Sequence, residues 1–144
     1  MLKTYIGLKF PGTCDQAFNF YKSVFKVEFN MFIRMRDDPE TAAGTPPIDL
    51  DKVAYAEMTI GGLVITGDDA MESMGQKVNP GDTTIIIVEP DSKKEVDRLF
   101  TALAAGGKIT TKPTEYPWGY LGGLIDKFGI CWAVWFRPAP VKQA

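Results

Sequence analysis

The chain has 144 residues, of which 45% are hydrophobic and 24% are charged, and its net charge is −2. This composition is typical of a soluble globular protein and excludes disordered, collagen-like and coiled-coil chains. The slight acidic excess offers no broad basic field for a phosphate backbone, so we expect no nucleic-acid partner. The chain also contains no histidine, the commonest metal ligand and the side chain best suited to proton transfer near neutral pH.

No segment of the sequence resembles a membrane span or a secretion signal. Apolar runs such as residues 85–88 are too short to cross a bilayer, and residues 1–10 lack an apolar core of signal-peptide length. Cys14 and Cys131 are too few for a disulfide scaffold and would remain thiols in a reducing compartment. These features predict a cytoplasmic protein without a membrane partner.

The first half of the chain predicts a strand, a helix and three further strands. Thr13 and Gln16 have capping-box spacing and predict the start of the helix. Gly61 and Gly62 supply the positive φ that a tight hairpin between the last two strands requires. The predicted strands are residues 4–10, 27–35, 53–60 and 63–66.

Residues 36–51 interrupt this pattern with a polar stretch that carries Pro39, Pro46 and Pro47. Such a composition does not favour regular strand pairing. We expect a loop of about 15 residues, long enough to be a functional lid or a mobile excursion.

The second half repeats the same order after a polar connector. Residues 83–88 form a β-branched run without alternation, which predicts a strand buried on both faces. Ser92 and Glu95 again have capping-box spacing, and Gly106 follows the predicted helix as a stop signal. The remaining predicted strands are residues 109–112, 118–125 and 130–136, with a turn at 126–129.

The two halves therefore predict an α+β fold made of two tandem β-α-β-β-β modules, at about residues 4–68 and 82–137. We expect one domain covering residues 1–144. Each module covers one face of its sheet with its own helix, and pairing the modules would form a curled, cleft-bearing mixed sheet. A cleft of this kind would bind a small molecule.

Several motifs accompany the two modules. They are AFNFYKSVF at 17–25, AEMTIGG at 56–62, WG at 118–119, DKFG at 126–129 and Trp132. With the tandem modules, they resemble the PhnB-like branch of the vicinal oxygen chelate superfamily, which includes glyoxalase I, extradiol dioxygenases and bleomycin-binding resistance proteins. The similarity extends over about residues 4–136.

The resemblance also bears on metal binding. In metal-dependent members, four His, Glu or Gln ligands come from the first and last strands of each module, at positions that fall here near Ile6, Thr66, Thr84 or Ile85, and Ala133. None of these side chains is a competent ligand for Zn, Ni, Mn or Fe. We therefore expect no metal and no cofactor, with a divalent metal at a non-standard site as the alternative.

Aromatic residues on strands that would line the cleft are candidates for ligand binding, because they stack on planar or apolar ligands while their polar groups orient them. The alternative for each is that it faces a helix and fills the core, since strand side chains alternate between faces. The predicted ligand-binding residues are Tyr5, Tyr55, Thr66, Trp118, Tyr120 and Trp132.

Carboxylates near the cleft mouth are the candidates for acid–base chemistry, which requires burial to raise one pKa. Glu57 is the candidate catalytic residue, although its neighbour Tyr55 is the alternative occupant of the inward face. For Asp68, Asp69 and Glu115 the alternative is a solvated turn or surface position.

Two further features have a functional and a structural interpretation. Arg34 and Arg36 alternate on the second predicted strand and would bind an anion, or they would lie on a solvated face. Cys14 lies in the first turn of a helix, where the macrodipole lowers thiol pKa. Without a histidine to act as its base, we interpret Cys14 as structural.

These observations favour a metal-free protein that binds or sequesters a small molecule in an aromatic cleft, as a homodimer. One alternative is a lyase or isomerase of the same superfamily that uses a carboxylate base or a non-standard divalent metal site. Another is a ligand-free dimerisation domain. Some relatives carry a methyltransferase name, yet the sequence lacks the Gly-rich strand-to-helix turn that cradles a nucleotide or S-adenosylmethionine.

Overall fold

The computed structural model describes residues 1–138, which contain three α-helices and eight strands. The predicted α+β class and the two tandem β-α-β-β-β modules are confirmed. The chain divides into two compact units, unit 1 at Met1–Asn79 and unit 2 beginning at Pro80. No helix within residues 1–138 is long and apolar enough to cross a membrane.

Unit 1 contains a four-stranded mixed sheet in the order β1-β4-β3-β2. β1 runs parallel to β4, and the other neighbours are antiparallel. The elements are β1 (Ile6–Phe10), α1 (Cys14–Phe25), β2 (Phe29–Arg34), α2 (Pro39–Ala43), β3 (Val53–Ile60) and β4 (Leu63–Asp69).

The apolar stripe of α1 packs on one face of this sheet. Its buried residues recur at helical spacing, and the Phe18 ring lies over Gly67 of β4. A Cβ at Gly67 would lie 2.3 Å from Cε1 of Phe18, so only glycine allows this close approach. The buried residues of α1 are Cys14, Ala17, Phe18, Tyr21 and Val24.

The predicted capping box at the start of α1 is wrong. Thr13 precedes the helix but makes no side-chain cap hydrogen bond. Instead, Oδ1 of Asp69 accepts a hydrogen bond from the Cys14 backbone N–H at 2.9 Å, and its Oδ2 accepts one from Val53 N–H at 2.9 Å. The helix ends at Phe25, and the following residue, Lys26, adopts the left-handed conformation with φ 55°. A long-range carboxylate therefore replaces the local cap.

The segment between β2 and β3 is more ordered than the predicted loop. It contains α2 and the 3₁₀ turns Met35–Asp37 and Pro47–Asp49. The prolines do not prevent this, because an N–H in the first turn of a helix makes no intrahelical hydrogen bond, so its absence in proline costs nothing there. Asp38 caps α2 by accepting from Thr41 N–H at 2.9 Å, and the buried Asp49 pairs with Lys52 at 2.8 Å.

Unit 2 has a second four-stranded mixed sheet with the equivalent order β5-β8-β7-β6. β5 runs parallel to β8, and the remaining pairs are antiparallel. The elements are β5 (Ile86–Val88), α3 (Lys93–Ala104), β6 (Lys108–Tyr116), β7 (Gly119–Ile125) and β8 (Cys131–Phe136).

The boundaries of α3 are those that the sequence predicts. Oγ of Ser92 accepts a hydrogen bond from Glu95 N–H at 3.1 Å, as an N-cap does. Gly106, at φ 76°, follows the helix and turns the chain into β6. The residues of α3 that are buried against the sheet are Val96, Leu99, Phe100 and Leu103.

The prediction for β5 is wrong in length and in burial. The strand has only three residues, and it alternates: Ile86 is buried, whereas Ile85 and Ile87 are 53% and 57% exposed. The physical reason is that β5 is an edge strand with α3 on one face of its sheet, so only alternate side chains reach the core. β6 is longer than predicted and accommodates Pro113 at a register shift, as edge strands can.

Candidate functional site

The sheet of unit 1 has a face opposite α1 that carries polar side chains. On β3, Ala56 and Met58 are buried on the α1 side, whereas Tyr55, Glu57 and Thr59 occupy the alternate positions and are partly exposed. We call this surface the polar face, and it comprises Tyr5, Tyr55, Glu57, Thr59 and Thr66.

A hydrogen-bond network joins the side chains of the polar face. The Tyr55 hydroxyl donates to Oε1 of Glu57 at 2.6 Å. The amide of Asn30 donates to Oε2 of Glu57 at 3.0 Å and to the Thr59 hydroxyl at 2.9 Å. Tyr55 and Glu57 are therefore partners on one face, whereas the sequence presented them as alternative occupants of it.

This network fixes the ionisation of its two titratable groups. The hydrogen bonds from Tyr55 and Asn30 hold the pKa of Glu57 below its usual value. The same bond to Glu57, with smaller effects of burial and of Tyr5, raises the pKa of Tyr55 to about 12. Glu57 is consequently a stable carboxylate, and its pKa moves away from neutrality, the opposite of what a general base requires.

Two other predicted residues lie beside Glu57. Thr66 of β4 is its cross-strand neighbour, and the Thr66 hydroxyl donates to the Ile6 carbonyl at 3.4 Å. Tyr5 stands two residues before Gly7 of β1, which pairs with Thr66; it is half exposed and makes a minor electrostatic contribution to the raised pKa of Tyr55. Unit 1 thus brings together Tyr5, Tyr55, Thr66 and Glu57.

The other predicted carboxylates are committed to structural pairs. Asp68 pairs with Lys9 at 2.9 Å, and Glu115 pairs with Lys93. Asp69 is buried, where it holds the start of α1 and of β3, so the interpretation of a solvated turn is wrong for it.

The two arginines of the predicted second strand are also paired. Arg34 ends β2 and binds Asp15 at 2.5 Å and the Asp51 carbonyl at 2.9 Å. Arg36 lies in the following 3₁₀ turn, beyond the strand, and pairs with Asp51 at 2.6 Å. Neither guanidinium is left unpaired for an anionic ligand.

Cys14 has the character of a structural thiol. It is fully buried, and burial together with the nearby Asp69 raises its pKa above the ordinary value. The thiolate that a nucleophile or metal ligand requires is therefore disfavoured.

Unit 2 distributes its three predicted aromatic residues over different environments. Trp118 lies at the hairpin between β6 and β7, is 48% exposed and stacks on Tyr116 with the ring centroids 5.1 Å apart. Tyr120 instead faces α3, where its hydroxyl donates to Asp97 at 2.7 Å. Trp132 is 1% exposed and faces the core. Of the three, only Trp118 presents an exposed ring.

Two residues that sequence reasoning did not single out organise these surroundings. Asn30 bridges Glu57 and Thr59, and no local signal marks it. Asp126 is buried and accepts hydrogen bonds from Phe128 N–H at 2.8 Å, Ile130 N–H at 3.0 Å and the Trp132 indole at 2.9 Å. The DKFG turn carried this signal, since Asp side chains often bond the backbone two residues on.

The sheet of unit 2 has an apolar surface on the face opposite α3. Leu121 pairs with Trp135, and Ala133 pairs with Ile87, while the alternate residues of these strands face the helix. We call this surface the apolar face, and it comprises Ile87, Leu121, Ala133 and Trp135. Trp135 also packs beneath the guanidinium of Arg137, 4.8 Å from the ring centroid.

The donor set does not fit the metal site of the metal-dependent relatives. Of the positions Ile6, Thr66, Thr84 or Ile85, and Ala133, only the two threonines carry a heteroatom in the side chain, and a neutral hydroxyl is a poor ligand for the metals concerned. Throughout residues 1–138, no three Cys, Asp or Glu side chains are grouped so that they could hold a metal ion. We derive no chemistry through a metal.

Comparison with known proteins identifies relatives over the whole fold. Residues 3–135 match the family described as 3-demethylubiquinone-9 3-methyltransferase. No curated protein matches the chain significantly.

Solved structures give a consistent result. Protein PA1353 from Pseudomonas aeruginosa is 26% identical with a TM-score of 0.83, covering 95% of this chain and 98% of its own. A PhnB protein from Bacillus cereus, described as a putative 3-demethylubiquinone-9 3-methyltransferase, is 25% identical with a TM-score of 0.73, covering 94% and 99%. The fosfomycin resistance protein FosX from Listeria monocytogenes, at 14% identity and a TM-score of 0.62 over 94% and 93%, shares the fold.

Proposed function

The chain belongs to the family described as 3-demethylubiquinone-9 3-methyltransferase, and on that premise we propose that it is a metal-free protein that binds or sequesters a small molecule. The family is PhnB-like and falls within the glyoxalase/bleomycin resistance/dioxygenase superfamily. The observation that carries this proposal is the network of Tyr55, Glu57 and Asn30 on the polar face. It fixes a carboxylate and a phenol at a partly exposed surface, and such convergent polar groups orient a ligand.

Binding is better supported than catalysis by the state of Glu57. A general base works best with a pKa near the operating pH, whereas hydrogen bonds hold the pKa of Glu57 low. The carboxylate is a fixed acceptor instead. We therefore place the lyase or isomerase alternative second.

Methyl transfer is not the activity that we propose, although the family description names it. The turn from β1 to α1 is Pro11-Gly12-Thr13, and the turn from β5 to α3 is residues 89–92. Neither is the Gly-rich turn that brings a backbone close to a nucleotide-like cofactor.

Two-dimensional NMR of the full chain with a panel of aromatic compounds and antibiotics tests the proposal. We expect at least one compound to shift amide signals of β3 and β4. Tyr55→Phe should weaken the binding of that compound about threefold or more, because one hydrogen-bonding group is lost. Tyr120→Phe is the matched control, since its hydroxyl also bonds a carboxylate but faces α3. A panel in which no compound shifts these signals contradicts the proposal.

We further propose that the protein is a cytoplasmic homodimer. Both cysteines are free and buried, which suits a reducing compartment. β5 lies at the edge of the unit 2 sheet with Ile85 and Ile87 exposed, and uncovered apolar edge strands favour pairing.

Light scattering after size-exclusion chromatography tests this second point. The wild-type protein is expected at twice 15.9 kDa, and Ile87→Lys is expected to shift the mass toward the monomer. Ile48→Lys, at an exposed position outside the strands, serves as the control. A monomeric wild-type protein would contradict the dimer.

A further inference from the structure

We propose that the small molecule bound at the polar face is an organic cation, a protonated amine or a quaternary ammonium group, recognised by Glu57 together with Tyr5 and Tyr55. This inference rests on the proposed function and deepens it by naming a ligand class. It follows from the charge and the aromatic rings of this partly exposed face.

The charge of the polar face is concentrated at Glu57. Its carboxylate accepts one hydrogen bond at each oxygen, from Tyr55 and from Asn30. A carboxylate has about four acceptor positions, so capacity remains for a ligand donor. On the same side of the sheet, Lys9 and Asp68 neutralise each other at 2.9 Å. Lys3, in the exposed N-terminal segment, acts on Glu57 electrostatically, and a bound cation would compete with it.

Aromatic rings accompany this charge. Tyr5 is half exposed and stands two residues before Gly7, which pairs with Thr66 of this face, and the Tyr55 hydroxyl donates to Glu57. A phenol that donates to a carboxylate has a more electron-rich ring, and the face of such a ring attracts a cation. Met31, exposed on β2 and paired across the strands with Glu57, adds a polarisable thioether to the same surroundings.

These groups together discriminate between ligand classes. An anion would be repelled by Glu57, and a purely apolar ligand would have to cover its charge without replacing the lost hydration. A cation with a methylated or aliphatic surface satisfies both the carboxylate and the rings. The chemistry of the polar face thus matches an ammonium group better than the planar or apolar ligand that the sequence suggested.

Choline and its neutral carbon isostere, 3,3-dimethylbutan-1-ol, form a matched pair of probes. In NMR titrations of the full chain, we expect choline to shift the amide signals of residues 55–59 and to bind about fivefold or more tighter than the isostere, because a carboxylate contact and a cation–π contact are lost together. Glu57→Gln is expected to abolish the preference. Glu40→Gln, which removes the same charge on α2, is expected to retain it.

The outcomes separate this inference from the proposed function. If choline and the isostere bind equally, or if Glu57→Gln leaves the preference intact, the ligand is not a cation at Glu57 and the inference is overturned. Binding of neutral compounds from the aromatic and antibiotic panel would still support the proposed function in that case. If neither the probes nor the panel bind, both proposals are overturned.

Discussion

The two units share one strand order yet differ in the chemistry of the sheet face opposite their helix. In unit 1 this surface is the polar face, where Tyr55 and Asn30 hold the Glu57 carboxylate. In unit 2 it is the apolar face, where Leu121 lies opposite Trp135. The repeated topology therefore fixes the backbone positions, whereas alternate side chains on the same strands are free to carry different functions.

The units also differ in how they use a buried carboxylate. Asp69 of unit 1 accepts two backbone N–H groups that are distant in sequence, from Cys14 and Val53. Asp126 of unit 2 accepts two backbone N–H groups of its own turn and the Trp132 indole. One carboxylate ties elements together, and the other shapes a hairpin.

The largest expected effect is the loss of stability when each of these two buried carboxylates is removed. Asp126→Ala leaves the buried Trp132 indole and two part-buried backbone N–H groups without their acceptor, and should lower the free energy of unfolding by about 3 to 5 kcal/mol. Asp69→Ala leaves two and should cost about 2 to 3 kcal/mol. Urea denaturation measures both, with the exposed Asp91→Ala as a control within about 0.5 kcal/mol. A smaller loss for Asp126 than for Asp69 would contradict the interpretation.

Glycines at the helix–sheet contact should sharpen the comparison of the two cores. A Cβ at Gly67 would lie 2.3 Å from the Phe18 ring, and one at Gly122 would lie 2.8 Å from Phe100. We expect Gly67→Ala to destabilise the protein by about 1 to 3 kcal/mol, because overpacking forces the ring to move. Gly122→Ala should cost less, because its Cβ would approach the ring less closely. Gly62→Ala, with open space around it, is the control. Equal denaturation midpoints for Gly67→Ala and Gly62→Ala would refute the packing argument.

The helix caps give a difference of about 1 kcal/mol. Ser92→Ala removes an N-cap hydrogen bond from α3 and should cost about 1 kcal/mol. Thr13→Ala should change the free energy of unfolding little, because Thr13 makes no such bond and Asp69 serves the start of α1. Thermal unfolding of both variants measures the difference. A substantial loss of stability in Thr13→Ala would show that the predicted capping box at Thr13 does form.

The smallest expected effect is spectroscopic. Because its pKa is raised to about 12, the Tyr55 hydroxyl should ionise later than an ordinary tyrosine at about 10. Its hydrogen bond to Glu57 thus stabilises the folded protein below pH 10 and is lost as the pH rises through 12. Ultraviolet absorbance titration of the wild type against Tyr55→Phe isolates this group. Glu57→Gln should move the transition back toward pH 10, and an unmoved transition would argue against the network.

Local signals in the sequence predicted much of the fold. The hairpin at Gly61-Gly62, the Ser92 cap and the stop at Gly106 depend on neighbouring residues, and the structure confirms them, although only Gly61 of the glycine pair has a positive φ. The start of α1 depends on Asp69, 55 residues beyond Cys14, which local spacing does not reveal. The exposure of Ile85 and Ile87 likewise depends on where β5 lies in its sheet.

The candidate site was predictable only in part, for a related reason. The period of two along β3 is sufficient to place Tyr55 and Glu57 on one face. It does not say which face a helix will cover, and Tyr120 and Trp132 both lie on the α3 side. Asn30 reaches Glu57 from a register shift in β2, which no pattern in the sequence predicts.

The two ways of starting a helix carry a consequence for the order of folding. α3 can complete its first turn as soon as Ser92 and Glu95 are synthesised, since they are three residues apart. α1 gains its anchor only when the chain has closed a loop of 55 residues to bring Asp69 to Cys14. Loop-closure entropy delays such a contact, so the N-terminal helix should consolidate after the C-terminal one although it leaves the ribosome first.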